Sequence, residues 1–356
     1  MRVVYDSFGG RYSDNPRAIY EALLAAGDGH EHVWVCDPAH LHGFPAGLST
    51  VPVGTAQSIE ALERADMVVA NTHIQVPWTK RPGARYLQTW HGTPLKKVHR
   101  DILQPPAERL GQLDMDVARW DVLLSPNAAA TASLRQAFRY GGEVYEAGYP
   151  RNDALLSPDR DAVRAKVRAG LGISEDQIAV LYTPTYRDNV TNGVWRADVS
   201  PSLDVAAVTD GLGPDYVLLV RPHYFVSDQV GPPSSPGTRD VARYPDVAEL
   251  YLAADAMVTD YSSTMFDFAV TGKPLLFYAY DLEYYRDELR GFYFDIGVDP
   301  PGPIARSEDE LVAALSALER TDSCYRQAYE RFRATYSYLE DGHATERVIA
   351  RYFATG

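Results

Sequence analysis

Cysteine is nearly absent from the 356-residue sequence, which contains only Cys36 and Cys324. Neither lies near a second cysteine or in a zinc-ligand spacing, which argues against a disulfide scaffold or a zinc site. No stretch approaches the ~18 consecutive apolar residues of a membrane-spanning helix, and no signal-peptide pattern opens the chain. We therefore expect a cytoplasmic protein that acts, at most, on the inner face of the cell membrane.

Positive net charge is also lacking, because 48 acidic residues against 34 Lys and Arg residues give a formal net charge of −14. This charge disfavours broad attraction to nucleic acid or anionic lipid, and we expect no nucleic-acid partner. A phosphate-binding site must then be locally basic. The candidate basic surface is Lys96, Lys97 and Arg100, which could touch a membrane or could be a solvated helix face.

Short apolar β-type runs alternate with amphipathic stretches, which predicts an α/β protein with parallel sheets. One series of strands runs from Val3–Tyr5 to Val144–Ala147, and a second runs from Ile178–Tyr182 to Leu275–Tyr278. We predict two Rossmann-like domains that face each other across a cleft, which is the GT-B architecture. The predicted bounds are 1–157 for the acceptor domain, 158–335 for the donor domain, and 336–356 for a C-terminal helix that could return to the first domain.

Loops at the carboxyl ends of the predicted strands carry the functional signal, because parallel sheets bind ligands there. The stretch Thr89–Pro94 follows one strand, and Thr93 and Pro94 predict that a helix begins after a sharp bend at Gly92. An imidazole at His91 could take a proton from an attacking hydroxyl. A histidine that only caps a turn is the simpler alternative.

Further loops in the second series could bind phosphate. The guanidinium and imidazole of Arg221-Pro222-His223 suit a pyrophosphate, although an ordinary surface arginine beside a histidine would look the same. The stretch Thr259–Thr264 precedes a predicted helix, whose free N–H groups and serine hydroxyls could hold a donor phosphate or could simply be capped. Arg187 follows Thr183–Tyr186 and could reach the same phosphates.

Several signatures of other enzymes are missing from the sequence. Gly9-Gly10 does not form a dinucleotide-binding fingerprint, and no Walker A lysine loop or GxSxG elbow occurs. A metal site built on Asp260, Asp267 and Asp281 is conceivable, yet their spacing does not favour it over capping and turn roles. We therefore predict no metal and no cofactor.

Taken together and in this order, the loops resemble the CDP-glycerol glycerophosphotransferase family of teichoic acid synthesis. The resemblance runs from residue 2 to Asp341-Gly342 and rests on these stretches: Tyr12–Pro16, Thr89–Lys97, Gly148–Asp153, Leu181–Arg187, Arg221–His223, Ala254–Asp267 and Arg290–Tyr293. It implies a GT-B fold with the donor held mainly by the second domain. It also implies that His91 is the general base and that His223 contacts the donor phosphates.

The resemblance predicts an enzyme that transfers glycerol phosphate, or another alditol phosphate, from a CDP-alditol to a hydroxyl of a teichoic-acid-like or capsule-like polymer or its lipid-linked primer. CMP is the second product. The expected donor contacts are Thr185, Arg187, Arg221, Asp260, Ser262, Ser263 and Thr264, and the expected acceptor-side residues are Asp14, Asn15, Gly92 and Thr93. Some polymerases of the family have a sizeable extra N-terminal domain, so we expect single addition or short extension here.

Two other functions stay open at this point. A GT-B glycosyltransferase that uses a UDP- or GDP-sugar, or a related epimerase, would share the fold and the cleft. A non-catalytic module that binds nucleotide or envelope polymer belongs to a different class. Stabilisation by CDP or CMP rather than UDP would exclude the first alternative, and release of CMP would exclude the second.

Overall fold

The computed structural model describes residues 1–103, 105, 107–185, 187–191, 194–198, 203–222 and 235–354. Two parallel sheets, each with helices on both faces, form the two halves of the chain, which confirms the predicted fold class. Within the described ranges, no helix is both long enough and apolar enough to cross a bilayer.

The first sheet is formed by β1 (Arg2–Asp6), β2 (Glu31–Cys36), β3 (Thr50–Pro52), β4 (Met67–Ala70), β5 (Arg85–Gln88), β6 (Val122–Ser125) and β7 (Glu143–Glu146). Its strands are parallel and lie in the order β3-β2-β1-β4-β5-β6-β7. The helices of this half are α1 (Asp14–Ala26), α2 (Ala56–Arg64), α3 (Ala107–Val117) and α4 (Ala128–Phe138).

Both faces of the first sheet are apolar because helices cover both of them. Successive side chains of a strand point to opposite faces. Val3 and Tyr5 of β1 therefore pack with Ile19 of α1, whereas Val4 packs with Leu62 of α2 on the other side. Polar residues accumulate where the strands end, and the functional loops begin there.

The strands of the second half are β8 (Ile178–Thr183), β9 (Arg187–Thr191), β10 (Val194–Asp198), β11 (Tyr216–Val220), β12 (Thr238–Asp240), β13 (Ala256–Thr259), β14 (Leu275–Tyr278) and β15 (Ile304–Ala305). A parallel sheet has the order β12-β11-β8-β13-β14-β15, and β9 and β10 form a separate antiparallel pair. The helices are α5 (Arg160–Gly170), α6 (Val205–Leu212), α7 (Val247–Ala253), α8 (Thr264–Ala269), α9 (Leu282–Tyr284), α10 (Glu308–Ser316), α11 (Leu318–Tyr336) and α12 (Ala344–Tyr352).

The predicted strands all form, each within two residues of its predicted ends. The sequence did not predict β3, β12 and β15, which have two or three residues each and are too short to show a hydrophobic period. The hairpin of β9 and β10 was also missed. The predicted domain boundary at residue 157 falls in the passage from β7 to β8.

The last helix returns to the first domain. Tyr352 of α12 lies in the same apolar cluster as Ile19 of α1. At the start of α12, the Asp153 carboxylate accepts the main-chain N–H groups of Ala344 (3.0 Å) and Thr345 (2.7 Å). A distant side chain thus satisfies donors that have no partner inside the helix.

The helix predicted to begin after Thr93 does not form. The chain runs extended and pairs with the second domain, because Lys97 N donates to Gly291 O (2.9 Å) and Tyr293 N donates to Leu95 O (2.8 Å). These tertiary hydrogen bonds use the main-chain groups that a helix would need, so they override the local capping signal.

Lys96 and Lys97 therefore do not lie on a helix, so the alternative of a solvated helix face is wrong. Arg100 forms an ion pair with Asp114, and the Lys97 side chain packs over Gly291. Lys96 lies opposite Phe292 in the pairing between the two domains.

Arg168 in α5 supports the second domain from inside. Its side chain is buried, and its guanidinium donates to Ala253 O (3.1 Å) and Asp255 Oδ2 (3.0 Å). It also donates to Ser174 O (2.7 Å) and Gln177 O (2.6 Å). One cation thus joins α5, the end of α7 and the turn before β8.

We expect Arg168→Met to lower the free energy of unfolding by about 3 kcal/mol, because it removes a buried cation together with its hydrogen bonds to three carbonyls and to the partly buried Asp255 carboxylate, which keeps only Arg164 as an ion-pair partner among the described residues. Chemical denaturation followed by circular dichroism measures this loss. Arg160→Met on the same helix is the matched control, since that side chain is 53% exposed and its ion pair with Asp161 spans 3.8 Å. Equal stability of the two variants would contradict a supporting role for Arg168.

Candidate active site

A cleft of about 1190 Å³ opens between the two domains. Its walls are the loops at the carboxyl ends of β1, β5, β8, β11 and β13, where the sequence placed the functional residues. The predicted residues that line it are Asp14, His91, Gly92 and Thr93 from the first domain, and Arg221, Ser262, Ser263 and Thr264 from the second. His223 lies outside the described residues.

His91 presents one ring nitrogen for chemistry. Its Nδ1 lies 2.5 Å from Asn71 O. A carbonyl only accepts hydrogen bonds, so Nδ1 carries the proton and Nε2 is left as the acceptor. The rings of Trp90 and Phe8 lie 4.2 Å and 5.3 Å from the imidazole, centroid to centroid.

The charge state of His91 also suits a base. The pKa of His91 is lowered to about 4, mainly by burial and also by the positive charge of Arg151, against the opposing effects of the hydrogen bond to Asn71 and the charge of Asp14. The imidazole is therefore neutral at physiological pH and able to accept a proton.

Left-handed backbone conformations surround the cleft. Phe8, Asp14 and Trp90 have φ values of 49°, 62° and 53°, which cost non-glycine residues about 1–3 kcal/mol each unless their surroundings hold them. Asn15 holds Trp90, because its Nδ2 donates to Trp90 O (3.2 Å). Asn15, predicted on the acceptor side, is fully buried and does not line the cleft, so it supports the loop that carries His91.

At Gly92 the two domains approach each other closely. A Cβ atom at Gly92 would lie 2.6 Å from Ser263 Oγ and 2.8 Å from Ser263 Cβ. Tyr149 also presses on this turn, because its hydroxyl accepts the Gly92 N–H at 3.2 Å. The loop that carries His91 and the loop that carries the serines can therefore meet only because residue 92 has no side chain.

Arg151 joins the domains below this contact, and the sequence analysis gave it no role. Its guanidinium donates to Asp14 Oδ2 (2.8 Å) at the start of α1 and to Asp267 Oδ2 (2.8 Å) in α8. Asn152 Nδ2 also donates to Asp267, at 3.1 Å. Burial alone would lower the pKa of Arg151, but Asp14 and Asp267 outweigh it and raise that pKa. The one signal in the sequence that pointed to Arg151 was its place in Gly148–Asp153, a stretch that carries the family resemblance.

The domains also meet beside α1. Arg17 Nη1 of α1 pairs with Asp246 Oδ2 at 3.0 Å, just before α7 begins. Together with the pairing of Leu95–Lys97 with Gly291–Tyr293, this contact holds both sides of the cleft.

The structure corrects the predicted phosphate contacts of Arg187, Asp260 and Thr185, none of which lines the cleft. Arg187 is buried and pairs with Asp260 Oδ2 and Asp281 Oδ2, both at 2.8 Å. Asp260 in turn accepts the N–H groups of Thr185 (2.9 Å) and Tyr261 (2.5 Å). The guanidinium is thus occupied by carboxylates, and the group shapes the loop behind the serines.

Arg221 does face the cleft. Its Nη1 donates to Val241 O (2.7 Å) and Tyr244 O (2.9 Å), which fixes the side chain. Burial lowers the pKa of Arg221, and within the described part of the chain no carboxylate forms an ion pair with it. A desolvated cation that faces a cleft in this way is suited to bind an anion.

The serine loop follows β13 and begins α8, which has six residues. Thr264 Oγ1 lies 3.0 Å from Thr183 Oγ1 and ties the loop to the end of β8. Ser262 and Ser263 are partly exposed in the cleft wall. Their hydroxyls can donate to phosphate oxygens.

The three aspartates considered as metal ligands have other partners. Asp260 and Asp281 pair with Arg187, and Asp267 pairs with Arg151. In the described ranges, no group of three or more His, Cys, Asp or Glu side chains is arranged to hold a metal ion.

Comparison with known proteins adds to this geometry. The family model described as "CDP-Glycerol:Poly(glycerophosphate) glycerophosphotransferase" matches residues 1–354. The chain is 37% identical to a teichoic acid glycerol-phosphate transferase of Staphylococcus aureus in an alignment of 367 residues. That alignment covers 99% of this chain and 92% of that protein. It is 33% identical to a teichoic acid poly(glycerol phosphate) polymerase of Bacillus subtilis, of which it spans 48%.

The structure is similar to that of the wall teichoic acid polymerase TagF, with a TM-score of 0.86 at 31% identity. The match covers 98% of this chain and 87% of that chain.

The contact between Gly92 and Ser263 gives a direct test. We expect Gly92→Ala to lower kcat by about 10²-fold, because a displacement of order 1 Å beside the reacting groups has that effect. Steady-state kinetics measures the loss.

Gly111→Ala is the matched control, since nothing lies within 4 Å of a Cβ at that helical position. We expect it to leave kcat unchanged. A Gly92→Ala variant with the turnover of the Gly111→Ala variant would show that the two loops need no close contact.

Proposed function

The chain belongs to the CDP-glycerol:poly(glycerophosphate) glycerophosphotransferase family, and we propose that its cleft transfers glycerol phosphate from CDP-glycerol to a hydroxyl of a teichoic acid chain or its lipid-linked primer. The observation that carries this proposal is the position of two groups at one junction. His91, a neutral base, lies beside Gly92, and Ser263 of the serine loop touches Gly92 from the opposite domain.

The reaction joins the acceptor oxygen to the donor phosphorus that bears the glycerol. As this bond forms, the bond from that phosphorus to the oxygen shared with CMP breaks, and CMP leaves with the electron pair. The acceptor proton passes to His91 Nε2. Phosphoryl transfer depends mainly on positioning and on stabilising negative charge.

Groups of the second domain stabilise that charge. Arg221 faces the cleft with its cation, and Ser262, Ser263 and Thr264 offer hydroxyl donors on the same side. His223 keeps its predicted contact with the donor phosphates as part of this proposal. Removal of one such donor typically costs ~10² to 10³ in rate.

The acceptor side is formed by the first domain. Asp14 and Thr93 line the cleft beside His91, and we propose that they orient the incoming hydroxyl. We further propose that the protein acts in the cytoplasm, at the inner face of the membrane where a lipid-linked acceptor would be reached. We also propose that Lys96, Lys97 and Arg100, which are all at least partly exposed, make that contact. Arg100 also pairs with Asp114, and the Lys97 side chain packs over Gly291.

The proposed activity is tested with CDP-glycerol and CDP-ribitol, each offered with a lipid-linked glycerol phosphate acceptor, and the products are sized by mass spectrometry. We expect CMP release and growth by glycerol phosphate units with CDP-glycerol. His91→Ala should abolish turnover and leave CDP-glycerol binding nearly intact, whereas Arg221→Gln should weaken that binding.

Other outcomes of this assay would count against the proposal. Loss of CDP-glycerol binding in His91→Ala would show that His91 serves the donor. Stabilisation by UDP rather than by CDP or CMP would favour the glycosyltransferase alternative. The length of the products separates single addition from extension.

We also propose that no metal ion is required, because Arg221 and His223 supply positive charge at the donor phosphates. Transfer should then proceed at its full rate in EDTA, measured as CMP release, with no gain when Mg²⁺ is restored. Strict dependence on Mg²⁺ would overturn this part of the proposal.

A further inference from the structure

Asn71 lies between two loops of the site, one that carries Phe8 and one that carries His91. It follows β4 directly, and the register pairs Ala70 with Asp6 of β1 on one side and with Gln88 of β5 on the other. The loop after β1 carries Phe8, and the loop after β5 carries His91. Because parallel strands end at the same edge of the sheet, Asn71 is placed to contact both loops.

The main chain of Asn71 fixes the imidazole. Its carbonyl accepts the Nδ1–H of His91 at 2.5 Å and so selects the tautomer that leaves Nε2 as the base. This contact also sets the direction in which Nε2 points.

The side chain of Asn71 fixes the ring that packs against the imidazole. Asn71 Oδ1 accepts the N–H of Phe8 at 2.9 Å. Phe8 has a φ of 49°, which phenylalanine rarely adopts. Its ring lies 5.3 Å from His91, and Trp90 lies 4.2 Å from the imidazole. The amide of Asn71 thus holds a strained residue in contact with the base.

Burying the side-chain amide of Asn71 costs free energy of folding. Asn71 is fully buried, and its Nδ2 has no hydrogen-bond partner among the described residues. Exchanging the two amide ends would place Nδ2 against the Phe8 N–H and lose the hydrogen bond that Oδ1 makes. A buried amide with one donor unused is destabilising by itself, which points to a role in holding Phe8.

We propose that Asn71 is the positioning residue of His91: its carbonyl sets the tautomer, and its side chain holds Phe8 against the imidazole. This inference rests on the proposed function of His91 as the base. Asn71 is fully buried and does not line the cleft, so its loss should change the chemical step and not the binding of CDP-glycerol.

The charged and titratable groups that act on His91 belong to other elements. Asp14 raises its pKa, whereas Arg151 and His73 lower it, and burial has the largest effect. His91 lines the cleft and is partly exposed, and loosening the contact with Phe8 exposes more of the imidazole to water without changing those charges. The pKa of His91 should then rise from about 4 toward its ordinary value.

The test uses two variants that loosen the same contact from opposite sides. Asn71→Ala removes the acceptor for the Phe8 N–H, and Phe8→Gly removes the ring while glycine tolerates the left-handed backbone. We expect each to lower kcat by about ten- to a hundredfold, with the dissociation constant of CDP-glycerol unchanged. The acid limb of the profile of kcat/KM against pH should move upward by about one pH unit or more. Asn71→Asp keeps an acceptor for Phe8 and should retain more activity than Asn71→Ala.

The matched control is Asn127→Ala. Asn127 is also fully buried and also accepts a main-chain N–H, that of Ala130 at 2.8 Å. Its Nδ2 donates to Thr93 Oγ1 (3.3 Å) and Tyr336 O (2.8 Å), and among the described contacts it forms no hydrogen bond with His91 or Phe8. We expect it to lower the melting temperature without moving the acid limb. An acid limb at the wild-type position in Phe8→Gly would overturn the inference, even if Asn71→Ala fails to fold.

His91→Ala is measured in parallel to separate two kinds of failure. Full turnover in His91→Ala would refute the proposed role of His91 itself. If His91→Ala is inactive while Asn71→Ala and Phe8→Gly keep the wild-type kcat and acid limb, only the inference about Asn71 fails.

Discussion

A buried guanidinium holds the two sides of the cleft together, because Arg151 pairs at once with Asp14 at the start of α1 and with Asp267 in α8. All three side chains are at most 10% exposed. Removing one member of such a group leaves an uncompensated buried charge and costs about 3–5 kcal/mol. The approach of Gly92 to Ser263 takes place beside this ion pair, and it depends on the domains keeping their present distance. The geometry of the reaction centre is therefore fixed by a charge that does no chemistry.

Charge is divided between the two walls in a way that suits the proposed reaction. His91 is neutral at physiological pH, since burial and Arg151 lower its pKa, so it can receive a proton without first losing one. Arg221 is a cation that faces the same cleft, and no carboxylate among the described residues forms an ion pair with it. A phosphate between them meets positive charge on the donor side and a base on the acceptor side. Of the carboxylates that line the cleft, Asp14, Glu21, Asp246 and Asp267 are paired with Arg17 or Arg151, which limits their repulsion of a phosphate.

Much of the site could be predicted from the loops that follow the predicted strands. Polar and glycine-containing loops after predicted strands correctly placed His91, Gly92, Arg221 and the serine loop at one cleft, because parallel strands end at a common edge. What could not be predicted depends on partners distant in sequence. Arg187 looked like a phosphate ligand, yet Asp260 and Asp281 occupy it. The capping signal at Thr93 was overridden by hydrogen bonds to the second domain, and Arg151 has no local signature of the ion pair that it forms.

The pairing of Leu95–Lys97 with Gly291–Tyr293 bears on how nucleotide would leave. Domain rocking that opened the cleft widely would break these two main-chain hydrogen bonds, together with the ion pair of Arg17 and Asp246 on the other side. Both would have to re-form in every catalytic cycle. These contacts at two edges of the cleft thus favour an enzyme that binds and releases its nucleotide while the domains keep their present distance.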